Sequence, residues 1–268
     1  MKRRVVVIVA ALVFVAAIIV AVRATSNRFA DAGPAAPSTG NEGLPPVIPT
    51  PKSDQAATNL GWQLTGEDDF TGNKINTNDW SVYDGATSHE KWSAQQCQVS
   101  GGVLTLVGDS QPPGTTCGIA SNDNRTYGRW EVRARFPAPA AVAYDPVFLL
   151  WPENDANATA VGEIDFAEEY DPARQYIESW LHGPGNVQAG YGRKYVDLTK
   201  WHNFAVEWQA DHVTCFIDGV AWVGYTDVKN VPSKPMHLVL QQNYVPRTAA
   251  DVRPIRSTAE IDWVRFYR

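Results

Sequence analysis

The segment VTCFIDGVAWV, residues 213–223, contains two short runs of strand-favouring side chains on either side of Asp218-Gly219. An Asp-Gly pair between such runs favours a two-residue type I′ turn, because both turn residues adopt positive φ and the twist of the turn matches that of the strands. The segment therefore predicts a β-hairpin, and with it an antiparallel sheet.

Strand patterns continue on both sides of this hairpin. Apolar and charged side chains alternate over residues 129–136, with Trp130, Val132, Ala134 and Phe136 on one face, which is the period of a strand with one buried face. Further strands are predicted over residues 103–107, 147–151, 175–182, 203–208, 237–242 and 260–267. Because no long helical pattern accompanies them, we predict an all-β fold, an antiparallel sandwich of two sheets.

The N-terminus carries an export signal. Basic residues at positions 2–4 precede an uninterrupted apolar run over residues 5–22. The run exceeds the ~7 to 15 residues of a signal-peptide core and approaches the ~20 that span a bilayer, which favours an uncleaved anchoring helix and leaves a cleaved signal peptide open. The positive-inside rule places the chain beyond this run outside the cytoplasm. Residues 1–29 are thus a predicted signal peptide or membrane anchor of an anchored or secreted extracytoplasmic protein.

The rest of the chain divides into a linker and one domain. Residues 30–58 are rich in Pro, Ala, Gly, Ser and Thr without apolar periodicity, which is typical of a linker. Residues 59–268 are predicted to form a single sandwich domain. The net charge is −6 and the domain has no basic cluster, which argues against nucleic acid as a partner. We expect a monomer.

Aromatic residues and cysteines add weaker indications. Ten Trp and ten Tyr offer flat apolar faces with polar edges that suit sugar rings, although core packing is an alternative for many of them. Cys97, Cys117 and Cys215 include no CxxC pair, which argues against zinc. A disulfide between Cys97 and Cys117 is left open, and Cys215 is expected to be a small buried apolar residue.

Residues 163–168, EIDFAE, place three carboxylates among apolar side chains. On a regular strand Glu163 and Asp165 share one face, whereas Glu168 would point to the other. A β-bulge at residues 166 and 167 would return Glu168 to the face of the other two acids, because two residues then oppose one. All three would line one surface.

This arrangement suits hydrolysis of a glycosidic bond. With the bulge, the Cα atoms of Glu163 and Glu168 would lie ~13 Å apart, so that carboxyls leaning together come within ~5 to 6 Å. Retaining glycosidases use a spacing of ~5 to 5.5 Å, at which one carboxylate attacks the anomeric carbon and the other protonates the leaving oxygen. Such crowding should also raise one pKa, as a general acid requires. A solvated acidic face on a strand or helix and a metal site are the alternatives, the second disfavoured because the motif contains no histidine.

The acidic segment resembles the bulged ExDxxE signature of glycoside hydrolase family 16, the laminarinase-like β-jelly-roll family. Four more segments resemble motifs of this family in the same order along the chain. Residues 127–133 (YGRWEVR) resemble the family's YGRFEAR, and residues 201–208 (WHNFAVEW) resemble its FHxYAxEW. Residues 216–219 (FIDG) resemble its FYVDG, and residues 261–267 (IDWVRFY) resemble its VDYVRVY. The resemblance covers residues 62–267. It implies a jelly roll with a concave carbohydrate-binding groove and a retaining, endo-acting hydrolase of a β-linked polysaccharide, β-1,3-glucan by default, without a catalytic cofactor.

Carried over position by position, the resemblance implies Glu163 as nucleophile, Glu168 as acid/base and Asp165 as the neighbour that orients the nucleophile. It also implies substrate contacts, which we assign to Arg129, His182 and Gln241, a structural role being the alternative for His182. Asp262 resembles a ligand of the structural calcium that many members carry, with an ordinary surface acid as the alternative.

The chain departs from the family at residues 145–152. Its sequence there is DPVFLLWP, whereas family members commonly have WPAFWLLP. Asp145 and Leu149 replace two tryptophans of the sugar platform, which we expect to come instead from Trp92, Trp151 or Trp180. The acids are retained, but the inference to laminarin as substrate is weakened.

Two other functions fit the same residues. A cell-surface transglycosylase would pass the sugar to a hydroxyl acceptor instead of water, which sequence does not distinguish. A carbohydrate-binding module would bind without turnover, but it would have no need of three intact acids. In each case the partner is a polysaccharide.

Overall fold

The structure, a computed structural model, describes residues 52–268 except residues 87–90, 110–113, 139, 141 and 247–255. The predicted N-terminal apolar helix and most of the predicted linker lie outside the described residues. Within the described part, no helix combines the length and the apolar character that crossing a membrane requires.

Strands dominate the described residues. The two short α-helices there are α1 (Ala56–Leu60) and α2 (Ala158–Val161). The strands are β1 (Leu64–Asp68), β2 (Trp80–Val82), β3 (Gly85–Ala86), β4 (Lys91–Trp92), β5 (Cys97–Ser100), β6 (Val103–Gly108), β7 (Thr115–Thr116), β8 (Gly118–Ser121), β9 (Gly128–Arg135), β10 (Tyr144–Pro152), β11 (Glu163–Glu168), β12 (Tyr176–Gly183), β13 (Val187–Tyr195), β14 (His202–Trp208), β15 (Val213–Ile217), β16 (Val220–Tyr225), β17 (Met236–Tyr244) and β18 (Ser257–Tyr267).

Most of these strands form two antiparallel sheets. The front sheet has the order β13-β12-β11-β10-β17-β8-β2. The back sheet has the order β16-β15-β14-β9-β18-β6-β5, with β1 also paired to β18. A small third sheet, β3-β4-β7, completes the set in the described residues. The predicted all-β sandwich of two antiparallel sheets is confirmed.

One large apolar core lies between the two sheets. The back sheet contributes Trp130 and Val132 from β9, and the front sheet contributes Phe148 and Leu150 from β10. All four are fully buried, and each buried large apolar side chain stabilises the fold by roughly 1.5 to 3 kcal/mol. The alternation predicted over residues 129–136 is confirmed, since its apolar members face this core.

The predicted hairpin is also present. Strands β15 and β16 pair antiparallel, and both turn residues have positive φ, 49° at Asp218 and 72° at Gly219. Two positive φ values are the mark of a type I′ turn, which glycine adopts without strain.

Two further contacts tie the domain together. A disulfide joins Cys97 in β5 of the back sheet to Cys117, directly before β8 of the front sheet, which settles the pairing that the sequence left open. Cys215 is free and buried, as predicted. Helix α1 lies on the outer face of the back sheet, where the Ala56 N–H donates to Glu131 Oε1 at 2.8 Å. The end of the predicted linker therefore packs on the domain.

Candidate active site

Strand β11 lies inside the front sheet, between β10 and β12, and its pairing is irregular. Opposite β10, Asp165 pairs with Leu149 and Ala167 pairs with Phe148, so that Phe166 is an extra residue. The register to β12 shifts over the same residues. This is the β-bulge predicted from the spacing of the acids.

The bulge sorts the side chains of β11 onto two faces. Ile164, Phe166 and Ala167 belong to the core between the sheets. The three acids of this strand lie on its other face, which is the outer face of the front sheet. The prediction that Glu163, Asp165 and Glu168 share one surface is confirmed, and the alternative of a helix over these residues is wrong.

Gly162 allows β11 to begin close against β12. Its φ is 101°, a conformation that costs little only for glycine. A Cβ atom at this position would lie 2.3 Å from the carbonyl oxygen of His182. Any larger residue would push the start of the acidic strand, and with it Glu163, away from His182.

The three acids are almost fully covered. Relative exposures are 7% for Glu163, 4% for Asp165 and 6% for Glu168. Burial, and then the charge of Asp165, raises the pKa of Glu163. Burial, and then the charge of Glu168, raises the pKa of Asp165, although its hydrogen bond with Glu163 acts in the opposite direction. These two groups therefore compete for a proton, whereas the expectation from the sequence concerned the general acid and stays a prediction.

His182 completes the group. It pairs across the strands with Glu163, and its Nε2 lies 3.3 Å from Asp165 Oδ2. Within the described residues, His182 Nδ1 and Asp165 Oδ1 are buried and have no hydrogen-bond partner. Buried polar atoms without a partner are costly, so these two atoms set this cluster apart from an ordinary hydrogen-bonded structural group.

The same residues form the one group in the described chain whose donor atoms could together hold a metal ion. Ligand atoms of Glu163, Asp165 and His182 all lie within 4.8 Å of one another. The lack of histidine within the motif was thus a weak argument against a metal, because the fold brings a histidine to it. The same residue types can also carry out acid/base chemistry without an ion.

Gln241 and Trp180 lie on the outer face of the front sheet as well. Gln241 is two strands from β11, opposite Val147, which in turn pairs with Glu168. Its Nε2 donates to Asn243 Oδ1 at 2.8 Å. Trp180 pairs directly with Asp165.

The two other candidate tryptophans are covered. Trp151 packs on Leu149 and Val239, donates from Nε1 to Asp155 Oδ1 at 2.7 Å, and is only 4% exposed. Trp92 is buried in an edge-to-face contact with Tyr83. Neither presents an open ring face, whereas Trp180 is only partly buried.

Arg129 does not belong to this site. It lies in β9 of the back sheet, on the face away from the core, where its Nε donates to Glu207 Oε1 at 2.7 Å and its guanidinium lies 5.6 Å from the Trp62 ring centre. The assignment to substrate binding was wrong because alternation shows which face of a strand is exposed but not which sheet the strand joins.

Asp262 is also on the back sheet. Its Oδ2 lies 3.0 Å from Arg133 Nε, and it is not in the metal-capable group found among the described residues. The structural calcium stays a prediction, and the ion pair shows that the carboxylate already has a cationic neighbour.

Glu178 was not selected from the sequence, yet it lies directly opposite Glu168 on β12 and is buried. The signal was available, because Glu178, Trp180 and His182 alternate along the strand predicted over residues 175–182. A strand that carries His182 on the active face must carry Glu178 there too.

Comparisons with known proteins match this geometry. Residues 85–265 match the family described as Glycosyl hydrolases family 16. That match takes in the bulged strand and both of its neighbours. The chain belongs to glycosyl hydrolases family 16. As a member of this family it is a glycoside hydrolase.

Relatives of known name are distant in sequence and close in fold. A Rhodothermus marinus protein named Beta-glucanase is 23% identical, with 81% of this chain and 88% of the relative covered. The catalytic domain of an endo-1,3-beta-glucanase (laminarinase) from Thermotoga petrophila RKU-1 superposes with a TM-score of 0.66 at 19% identity, covering 77% of this chain and 98% of that one. A beta-1,3-1,4-glucanase (lichenase) from a mouse hindgut metagenome gives 0.65 at 18%, covering 75% and 97%. At these identities the superpositions show the family 16 fold.

Proposed function

We propose that this family 16 protein is a retaining, endo-acting hydrolase of a β-linked glucan, with β-1,3-glucan as the first candidate substrate. The named relatives support a β-glucan, since they are a β-glucanase, a laminarinase and a lichenase. The outer face of the front sheet is the surface on which the polysaccharide would lie, in a groove across the strands.

The observation that carries the proposal is the bulge at Phe166, because it sets Glu163 and Glu168 on one face of a single strand. In the first step the Glu163 carboxylate attacks the anomeric carbon while the Glu168 carboxylic acid gives its proton to the glycosidic oxygen, and the bond to the leaving sugar breaks. In the second step water attacks the anomeric carbon, Glu168 takes the proton of the water, and the Glu163 carboxylate is released.

Asp165 and His182 serve these steps from beside the nucleophile. Because burial raises the pKa values of both Glu163 and Asp165, the two do not ionise together easily. Their hydrogen bond raises the pKa of Glu163 and lowers that of Asp165, so attack requires the shared proton to pass from Glu163 to Asp165, whose hydroxyl then donates to the Glu163 carboxylate. His182 holds Asp165 through the 3.3 Å contact of its Nε2.

We also propose an extracytoplasmic location, anchored or secreted, on the evidence of the apolar run over residues 5–22. A polysaccharide substrate fits that location. Fractionation of cells that express the full chain would place the protein in the membrane or in the medium.

The decisive experiment is a screen of the full chain against β-1,3-, β-1,3-1,4- and β-1,4-glucans and galactans, with product sizes recorded. We expect wild type to release oligosaccharides from a β-glucan, the first-formed reducing end to be the β anomer by NMR, and Glu163→Gln to be inactive. Glu131→Gln, which changes a buried acid in the back sheet, is the matched control and should retain activity. Cleavage that survives Glu163→Gln would overturn the mechanism.

The same screen separates the rival functions. Longer products in the presence of oligosaccharide acceptors would favour the transglycosylase, and binding without turnover would favour the binding module. Loss of activity on treatment with EDTA, restored by a divalent cation, would indicate a bound metal, either at Glu163, Asp165 and His182 or at the predicted calcium site of Asp262.

A further inference from the structure

The edge strand of the front sheet, β13, and its neighbour β12 carry a cluster of polar and aromatic side chains beside the catalytic acids. Trp180 pairs with Asp165 on one side and with Tyr191 on the other. Glu178 pairs with Glu168 on one side and with Arg193 on the other. Residues directly opposite each other have Cβ atoms ~4.5 to 5.5 Å apart, so the cluster begins within one side chain of the acids.

Glu178 holds this cluster together. Its Oε2 accepts from Trp180 Nε1 at 3.2 Å, and its Oε1 accepts from the Tyr191 hydroxyl at 3.0 Å and from Arg193 Nε at 2.8 Å. A buried carboxylate is costly unless it is paired and hydrogen-bonded, and these three donors supply both. Because the carboxylate lies outside the core between the sheets, its contacts fix the orientation of three surface side chains.

The side chains that Glu178 fixes keep surface free for a ligand. The rings of Trp180 and Tyr191 lie 4.3 Å apart at an angle of 48°, and Tyr191 is 45% exposed. The Arg193 side chain is 39% exposed, and its guanidinium lies over the Tyr176 ring. The polar edges of the two rings are satisfied by Glu178, so what remains accessible is aromatic face next to a guanidinium donor.

Aromatic face with adjacent hydrogen-bond donors is the chemistry that binds a pyranose ring, which has apolar C–H faces and a rim of hydroxyls. Trp151 and Trp92 do not offer such a face because they are covered. The chain also lacks the two tryptophans of the family's usual platform, where it has Asp145 and Leu149. An aromatic surface next to the acids therefore occurs on the β12–β13 side of them.

We propose that Trp180, Tyr191 and Arg193, held in place by Glu178, form a binding subsite for a sugar ring of the substrate next to the bond that is cleaved. This inference rests on the proposed function, because it assigns a role within that same site. Glu178 is a positioning residue here. Fixing the three side chains before binding reduces the ordering that the substrate would otherwise have to induce.

The test compares Tyr191→Ala and Glu178→Gln with wild type in the full chain, on the β-glucan that wild type hydrolyses and on its oligosaccharides. Since the subsite binds substrate and transition state alike, each change should raise KM about tenfold and leave kcat within about threefold. Glu207→Gln is the matched control, because Glu207 binds Arg129 on the back sheet in the way that Glu178 binds Arg193. It should leave both constants unchanged.

Tyr191→Ala protects the test against misfolding, since Tyr191 is 45% exposed and Glu178 keeps Trp180 and Arg193 as donors, so the variant should stay folded with at most a small fall in unfolding temperature. An unchanged KM in Tyr191→Ala, or a fall in kcat alone in both variants, would overturn the subsite. If wild type hydrolyses none of the glucans, the proposed function fails and the subsite fails with it. Hydrolysis by wild type with unaffected variants overturns the subsite alone.

Discussion

The two sheets each contain buried carboxylates with raised pKa values, but these carboxylates differ in what surrounds them. Glu131 in the back sheet is fully buried, and no second buried acid lies on its strand β9. Its oxygens accept from the Ala56 N–H at 2.8 Å and the Tyr267 hydroxyl at 3.3 Å. In the front sheet, Glu163 and Asp165 are buried next to each other, and Asp165 Oδ1 has no partner within the described residues.

The difference shows that a raised pKa alone does not mark an active site. Burial raises the pKa of Glu131 to about 7. Its hydrogen bonds are nevertheless structural, because they join β9 to helix α1 and to the end of the neighbouring strand β18. What distinguishes the front sheet is that three acids share one face and that Asp165 Oδ1 and His182 Nδ1 among them have no hydrogen-bond partner within the described residues. Clustering and unsatisfied atoms, more than the pKa, indicate chemistry.

The largest expected effect separates the two kinds of acid by activity. Glu168→Gln should lower hydrolysis of the natural glucan roughly 10²- to 10⁴-fold, because the leaving sugar then departs without a proton. The loss should be much smaller on a dinitrophenyl glycoside, whose leaving group needs no proton. Rates on both substrates, with Glu131→Gln as control, measure this. Equal losses on both would mean that Glu168 is not the proton donor.

The sequence predicted the acidic strand well, because the face to which a side chain points depends only on its position along its own strand. Three acids that need one face and a spacing of five residues require one extra residue in the strand, and the bulge at Phe166 supplies it. Which sheet a strand joins, and which neighbours cover a side chain, depend instead on contacts with distant parts of the chain. For that reason Arg129 was assigned to substrate binding although its strand belongs to the back sheet, and Trp151 was expected to offer a ring face that its neighbours cover.

Glu178 illustrates a different limit. Its alternation with His182 placed it on the active face, but nothing in the sequence showed that Trp180, Tyr191 and Arg193 would all donate to it. Tyr191 and Arg193 come from β13, for which no strand was predicted. The cluster therefore depends on strand pairing that sequence did not reveal.

The second prediction concerns stability and the acid of the back sheet. The pKa of Glu131 is raised from 4.5 to about 7 in the folded protein, so the folded state binds a proton between these pH values that the unfolded state has lost. Stability should therefore fall as pH rises from 5 to 8, by on the order of 3 kcal/mol from this group. Glu131→Gln, which mimics the protonated acid, should remove that part of the slope. Chemical denaturation at both pH values tests this, and parallel slopes would contradict it.

A smaller effect on the free energy of unfolding is expected in the front sheet, where replacing a buried acid by its amide should again stabilise the protein at high pH. Because burial and then the charge of Asp165 raise the pKa of Glu163, Glu163→Gln should stabilise the protein at pH 8 by about 1 kcal/mol, as often happens when an active site gives up a strained charge. The unfolding free energy of Glu163→Gln and Glu131→Gln would then rise together, while only Glu163→Gln loses activity. A destabilised Glu163→Gln would mean that the carboxylate serves the fold as Glu131 does.

The smallest effect is a shift in pH dependence at His182. The charge of His182 lowers the pKa of Glu163, against the larger effects of burial and Asp165. Removing that charge in His182→Gln should raise the pKa of Glu163, and because Glu163 must be ionised to attack, the acidic limb of kcat/KM should move to higher pH. His212→Gln is the control, since His212 lies near Glu207 on the back sheet and should leave the limb in place. A limb that stays fixed in His182→Gln, or moves to lower pH, would show that another group sets the ionisation of the nucleophile.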